Sequence, residues 1–260
     1  MKRRKKSEMF QRVVLGALTI IIFLVIWQIV ASGKSGYSTT PLKVFRYIGE
    51  RLVMPIGTNT IIGHVLWSLS RVAVGYVIAA VTGVILALLM AEFKALDAFF
   101  HPLFDLFRPI PPIGWIPLSI LWFGIAEKSK YFIIFIGAFV PFVMNTYMGA
   151  KRVDPKLKDA ALMLGMDPKK MFLKITFPAI VPQIFAGAQV ALTNAWMSVI
   201  AAELVRSANG AGWIIMKGME NANMEQIFAG MIVIGITGFI IVTLMRVLEK
   251  YLIRWNVRGG

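Results

Sequence analysis

The sequence predicts an all-α polytopic membrane protein with six transmembrane helices and both termini on the cytoplasmic side. Three observations lead there. Hydrophobic residues make up 58% of the 260-residue chain, well above the share usual in soluble domains. They gather in six runs free of charge, 13–33, 72–91, 109–126, 131–150, 175–202 and 226–245, each near the roughly 20 residues that a helix needs to cross the hydrocarbon. Charge is also asymmetric. With the N-terminus inside, segments 1–12, 91–108, 151–178 and 246–260 hold 19 of the 28 Lys and Arg residues, whereas the outer segments 34–63, 124–130 and 204–225 hold eight. Arg71, near a helix start, is the remaining one. The positive-inside rule then places both termini inside.

Composition removes several function classes. The chain has no cysteine, so disulfides, thiolate zinc sites and a cysteine nucleophile are excluded. Its two histidines, His64 and His101, are too far apart in sequence to suggest a metal site. A net charge of +15 would suit nucleic acid, but the charges flank the apolar runs as membrane topology would place them. No G-x-x-x-x-G-K-[ST] sequence occurs, and no Ser/His/Asp arrangement or carboxylate pair stands at a plausible site. The chain is expected not to be an enzyme and to hold no cofactor or metal of its own, with no nucleic acid among its partners and the lipid bilayer as one of them.

Residues 1–12, MKRRKKSEMFQR, form a basic cytoplasmic tail, and 13–33 the first span. The run exceeds the roughly 7–15 residues of a secretory signal core, which favours an uncleaved span, although Ala31 and Gly33 leave cleavage open. In the outer segment 34–63, Leu42, Phe45, Ile48 and Leu52 recur at helical spacing opposite Lys43, Arg46 and Arg51. That pattern describes an amphipathic helix on the membrane surface or a lid over an outer opening. Residues 64–250 are read as a membrane core of five further spans that includes the cytoplasmic loop 151–178, followed by a cytoplasmic tail at 251–260.

Within that core, Gly75, Ala79, Ala80 and Gly83 let another helix approach the second span closely. The third span begins RPIPPIGWIP, and its four prolines, at 109, 111, 112 and 117, break or extend the entry. Irregular backbone at membrane depth needs protein or water to satisfy it, so this is a kink beside a translocation path or a structural elbow. The fourth span contains Pro141, Asn145 and Thr146, polar content suited to interhelical hydrogen bonds.

The stretch 151–178, KRVDPKLKDAALMLGMDPKKMFLKITFP, is unlike the rest. Its seven Lys/Arg rule out a span and mark a cytoplasmic face. Asp154-Pro155 and Asp167-Pro168 are helix-start signals, an N-cap acceptor followed by a residue with no donor to lose. Gly165 can end the first helix in a left-handed turn. The result is a helix, a tight turn and a second helix. A basic hairpin on anionic lipid would show the same composition. However, Asp159-Ala160-Ala161, Gly165, Ile175 and Pro178 resemble, at matching spacing, the EAA loop of bacterial ABC-importer permeases, E-A-A-x3-G-x9-I-x-L-P. Asp159 stands where Glu is usual and Phe177 where Leu is usual.

The fifth span carries Gln183, Gln189, Thr193, Asn194, Trp196 and Ser198 and ends at Glu203. Gln189, Thr193 and Trp196 share one helical face, with Asn194 and Ser198 on the next. Polar groups in hydrocarbon face protein or a water-filled cavity. These residues, with Glu203, are therefore candidates for the lining of a translocation pathway, or else polar glue between helices. Glu203 falls at the outer end and suits a structural or gating role paired with Arg206. Gly210, Gly212 and Gly218 supply turns in the last outer loop, and Arg246, Lys250, Arg254 and Arg258 hold the C-terminus inside.

PPIGWIPLSILWFGI, SLSRVAVGY, Ala202-Glu203 and Gly210-Ala211-Gly212 resemble a narrower group, the permeases for nitrate, sulfonate, taurine and related small anions. The resemblance runs from about residue 40 to the end. It implies a small, type I importer permease fold in the bacterial cytoplasmic membrane and a translocation pathway for such an anion, formed with a second copy as a homodimer. It further implies an ABC ATPase pair docked on 151–178 and carrying the ATP and Mg, and an extracytoplasmic solute-binding protein. Asp159, Ala160, Ala161, Gly165, Ile175 and Pro178 would then be the ATPase-coupling residues. The rival is an ion-gradient-driven secondary transporter or channel. It is disfavoured because the uncharged runs contain no mid-membrane ionisable residue.

Overall fold

The computed structural model describes residues 2–33 and 39–253, and every regular element among them is a helix. Arg254, Arg258 and the tail beyond Ile253 lie outside the described residues. In chain order the helices are α1 (Lys2–Ser32), α2 (Pro41–Arg51), α3 (Ile61–Glu92), α4 (Lys94–Phe107), α5 (Ile116–Phe123), α6 (Glu127–Lys151), α7 (Pro155–Met163), α8 (Pro168–Met171), α9 (Phe177–Val205), α10 (Ala211–Glu220) and α11 (Met224–Leu252). Residues 2–12, expected as a tail, continue α1.

Five of the six expected spans appear as helices long and apolar enough to cross a membrane. The third does not. Pro111 is extended, and beyond it come only a 3-10 turn, Pro112–Trp115, and the eight-residue α5. Prolines remove the amide donors that a continuous helix would need there. Conversely, α4 falls in segment 91–108, expected as a cytoplasmic loop, yet it packs along α6. Tyr147 donates to Asp97 at 2.7 Å, and Phe104 is buried with Ala87, Met90 and Val143. Ile116 of α5 then joins Ile133 of α6. The return path beside α6 is therefore built in two pieces that meet at the proline elbow.

The centre of the bundle is α3, α6 and α9. Val72, Ala79, Ile134, Ala138, Phe142, Ala188, Ala191, Ala195 and Val199 form one buried cluster, in which small side chains bring the backbones together. The approach is closest at Gly75, where a Cβ would lie 2.6 Å from Ile134 Cγ2. The expectation from the small residues of the second span is met by α6. Contacts of Gly75 with Ile134 and Gly83 with Phe142 show α3 and α6 running parallel. Those of Tyr76 with Ala188 and Ser68 with Glu203 show α9 antiparallel to α3.

At the edge, α1 meets the bundle through Trp27, whose ring packs on Phe228 and whose indole N–H donates to Thr39 O at 3.1 Å. The amphipathic α2 exists, but its buried face is Pro41 and Val44, with Tyr47 donating to Gln226. Of the stripe Leu42, Phe45, Ile48 and Leu52, only Ile48 turns inward; the others are exposed. An outward apolar stripe beside long apolar helices suits contact with lipid.

Candidate functional site

The 151–178 loop forms the local structure its residues specify. Asp154 caps α7 by accepting from Lys156 N–H at 2.9 Å, and Asp167 caps α8 by accepting from Lys169 N–H at 3.1 Å. Gly165 has φ +73°. Around it Met166 N–H donates to Ala161 O at 3.0 Å and Gly165 N–H to Leu162 O at 2.9 Å, the paired bonds of a left-handed helix stop. Asp159 and Ala160 are exposed, and Ala161 is buried. Met163 and Leu164, at the tip, are 89% and 86% exposed. Ile175 lies in a π turn, Phe172–Thr176, that carries α8 into α9. Pro178 follows that turn, and its ring cannot follow the carbonyl of residue 174 in a regular α turn. The widened turn accommodates it.

At the opposite end of the bundle lies a buried polar cluster that the sequence did not reveal. Arg71 is 1% exposed and Glu203 is 0% exposed, and they meet at 2.7 Å. Arg71 also grips Glu127 with two bonds, at 2.6 and 2.8 Å. Its remaining donors reach the backbone oxygen of Asn209 at 2.9 Å and the Asn209 side chain. All five guanidinium N–H groups are thus engaged. Lys130 pairs with Glu127 at 2.8 Å, so two cations face two carboxylates and the cluster is electrically neutral.

Glu203 is satisfied on every side. Its partner is Arg71, not Arg206, and it is buried rather than solvated. Gly212 N–H donates to it at 2.9 Å, and the Ser68 hydroxyl lies 2.8 and 2.9 Å from its two oxygens. Ser68 accepts from Ala211 N–H at 2.8 Å. His64 Nδ1 accepts from Gly210 N–H at 3.1 Å, which leaves the ring proton on Nε2, 2.9 Å from Ile56 O. The ring stacks on Trp213, 4.9 Å between centroids. The Gly210-Ala211-Gly212 turn fits for a steric reason: a Cβ on Gly210, at φ +117°, would lie 2.3 Å from the Glu203 carboxyl carbon. His64, Ser68 and Arg71 stand at i, i+4 and i+7, one face of a helix. That spacing was the available signal, and it went unread because Arg71 passed for a flanking charge.

The polar residues of α9 divide between two neighbours. Gln189 donates to Glu249, and the Trp196 indole donates to Ile234 O at 3.3 Å, both on α11. Thr193 bonds back to Gln189 O at 3.1 Å. Ser198 is buried behind Gly137 of α6, and its hydroxyl has no partner among the described residues. Asn194 opens onto a cavity of about 410 Å³ between α4, the proline elbow and α6, whose walls include Phe100, Phe104, Phe107, Arg108 and Trp115.

Comparison with known proteins bears on this arrangement. Residues 79–257 match the family model for the binding-protein-dependent transport system inner membrane component. A nitrate import permease of Synechocystis sp. is 32% identical over 260 residues, covering 96% of this chain and 94% of that protein. A putative aliphatic sulfonates transport permease of Bacillus subtilis is 31% identical, covering 93% of this chain and 87% of that one. Among solved structures, the MetNI methionine ABC transporter in inward-facing conformations superimposes with a TM-score of 0.59 at 17% identity. That match covers 75% of this chain and 95% of the other, and it shows a shared fold.

Proposed function

Since the chain belongs to the binding-protein-dependent transport system inner membrane components, the multi-pass permeases of ABC importers, we propose that its 151–178 loop is where a separate ATPase pair drives it. Two copies of the chain form the pathway in the bacterial cytoplasmic membrane, with both termini and the loop inside. An external solute-binding protein delivers a small anion, such as the nitrate or sulfonate that its relatives' names carry. ATP and Mg belong to the partner subunit.

The observation that carries this reading is the tip of the loop. A capped helix of nine residues, stopped by Gly165, holds Leu162, Met163 and Leu164 exposed within a strongly basic stretch. Contiguous apolar surface among charges marks a protein contact. Closure of an ATPase pair would move α7, and through the continuous helix Pro168–Val205 it would rock the bundle as rigid bodies between inward-open and outward-open states. The neutral, fully bonded Arg71–Glu203 cluster holds the far ends of α3, α6, α9 and α10 together during that motion. Its two carboxylates, Glu127 and Glu203, are both already ion-paired to cations of the cluster, so it gives the ion-gradient reading no support.

The test is a mild-detergent pull-down of the tagged full chain from native membranes, followed by mass spectrometry. An ATPase subunit is expected to co-purify and to be lost in Leu164→Glu. Recovery of the chain alone, active in ion-driven uptake after reconstitution, would overturn the reading.

A further inference from the structure

A groove of about 680 Å³ lies between the last turns of α3 and the 151–178 loop. Ile85, Leu89 and Phe93 stand on one wall and Phe172 and Leu173 on the other, and all five are exposed. The charged groups that reach it are Lys158 of α7, Lys169 of α8 and Glu92 of α3. None of the three has an ion-pair partner among the described residues. Lysines beside an apolar wall lay their stems along it and keep the ammonium free at the rim. The groove is therefore apolar along its length and cationic at one end.

The groove continues a stripe on α3. Ile78, Val81, Ile85 and Leu89 follow one another at three- and four-residue steps, which puts them on one face, and each is between 40% and 55% exposed. In a span, such a face meets acyl chains. Ile85 stands two turns before the end of α3, ~10 Å along the axis, a depth that a lipid tail reaches and a soluble protein does not. The exposed tip of the loop, Leu162 to Leu164, takes no part in the groove, so the tip and the groove are separate surfaces. Two lysines against one carboxylate leave the groove one net positive charge. A zwitterionic head carries no net charge to answer it. A head with one negative charge does, and hydroxyls on that head have the Glu92 carboxylate as acceptor.

Taking the loop as cytoplasmic, for which it rests on the permease reading, we infer that this groove binds an acidic phospholipid of the inner leaflet, with the chemistry of phosphatidylglycerol. Lys158 and Lys169 hold the phosphate, as basic pockets at the cytoplasmic ends of spans do. Glu92 accepts from the head's hydroxyls, and one acyl chain lies along Leu89, Ile85 and Val81. The bound lipid fills the space between the end of α3 and the loop assigned to the ATPase. No bond is made or broken.

The experiment is native mass spectrometry of the full chain, delipidated in detergent and titrated with phosphatidylglycerol and, separately, with phosphatidylcholine of the same acyl chains. One saturable phosphatidylglycerol adduct is expected, with phosphatidylcholine weaker by about tenfold or more. Lys158→Gln with Lys169→Gln should weaken the adduct by roughly 25-fold, about fivefold for each lysine. Lys156→Gln with Lys170→Gln removes the same charge from the loop outside the groove and should weaken it clearly less. Glycerol 3-phosphate, a phosphate head without tails, should not displace the lipid. All variants are checked for wild-type elution on gel filtration. Phosphatidylcholine binding as tightly, equal weakening by the two double variants, displacement by glycerol 3-phosphate, or no adduct on the wild-type chain overturns the proposal. The last is the result expected if a second copy of the chain covers the groove. Loss of the lipid site while the ATPase still co-purifies leaves the permease reading standing, whereas failure of co-purification strikes that reading itself.

Discussion

Arg71 on α3 and Glu203 on α9, separated by 132 positions in the chain, meet at 2.7 Å with neither side chain reaching solvent. The contact closes one end of the three-helix centre. It also fixes α10, because the Glu203 carboxylate and the Ser68 hydroxyl receive the amides of Gly212 and Ala211. Removing one member of such a pair leaves the other buried and uncompensated.

Arg71→Ala should therefore lower stability by about 3–5 kcal/mol. The check is the thermal unfolding midpoint of the detergent-purified chain. The double variant Arg71→Met with Glu203→Leu should lose clearly less than the two single losses added, because it leaves no unpaired carboxylate at 203. Additive losses would show that the two residues act independently.

Gly210→Ala tests the turn beside the cluster. The position has φ +117°, and its Cβ would run into the Glu203 carboxylate. A cost of about 1–3 kcal/mol is expected from the backbone alone, with more from displacing the carboxylate. An unchanged unfolding midpoint would count against the geometry described.

Gly75→Val places a side chain against Ile134, where even a Cβ would sit at 2.6 Å. Overpacking of this kind costs about 1–3 kcal/mol. Adding Ile134→Ala opens space opposite the new side chain and should restore part of the midpoint. No recovery in the double variant would mean that the two helices do not meet there.

Gly165 differs from both. A Cβ there meets nothing within 4 Å, but φ is +73°. Gly165→Asn should be tolerated, since Asn enters the left-handed region readily, whereas Gly165→Val should strain the turn by about 1–2 kcal/mol. Limited proteolysis of 151–178 in membranes is the readout. Faster cleavage is expected for the Val variant and near wild-type cleavage for the Asn variant. Equal cleavage of both would show that the left-handed turn is not required.

Some of this architecture was legible residue by residue. Asp154, Asp167 and Gly165 act within one or two turns of themselves, so their capping and stopping roles follow from their neighbours in sequence. The apolar runs at 131–150 and 226–245 lie within α6 and α11 because burial from water and internal hydrogen bonding favour a helix there. The 109–126 run misled, because hydropathy measures length and not backbone continuity, and the prolines divided it. The stripe on α2 misled too, because apolar periodicity identifies a lipid-facing side as readily as a protein-facing one.

The sequence by itself determined an all-helical membrane chain and its basic capped loop. These depend on local hydrogen bonding and on solvent transfer, which act on each segment separately. Tertiary structure alone decided that α4 and α5 share one return path, that Arg71 answers Glu203, and that Asn194 rather than Gln189 opens onto a cavity. Each of these depends on which helix faces reach one another across the bundle, and no local preference encodes that choice.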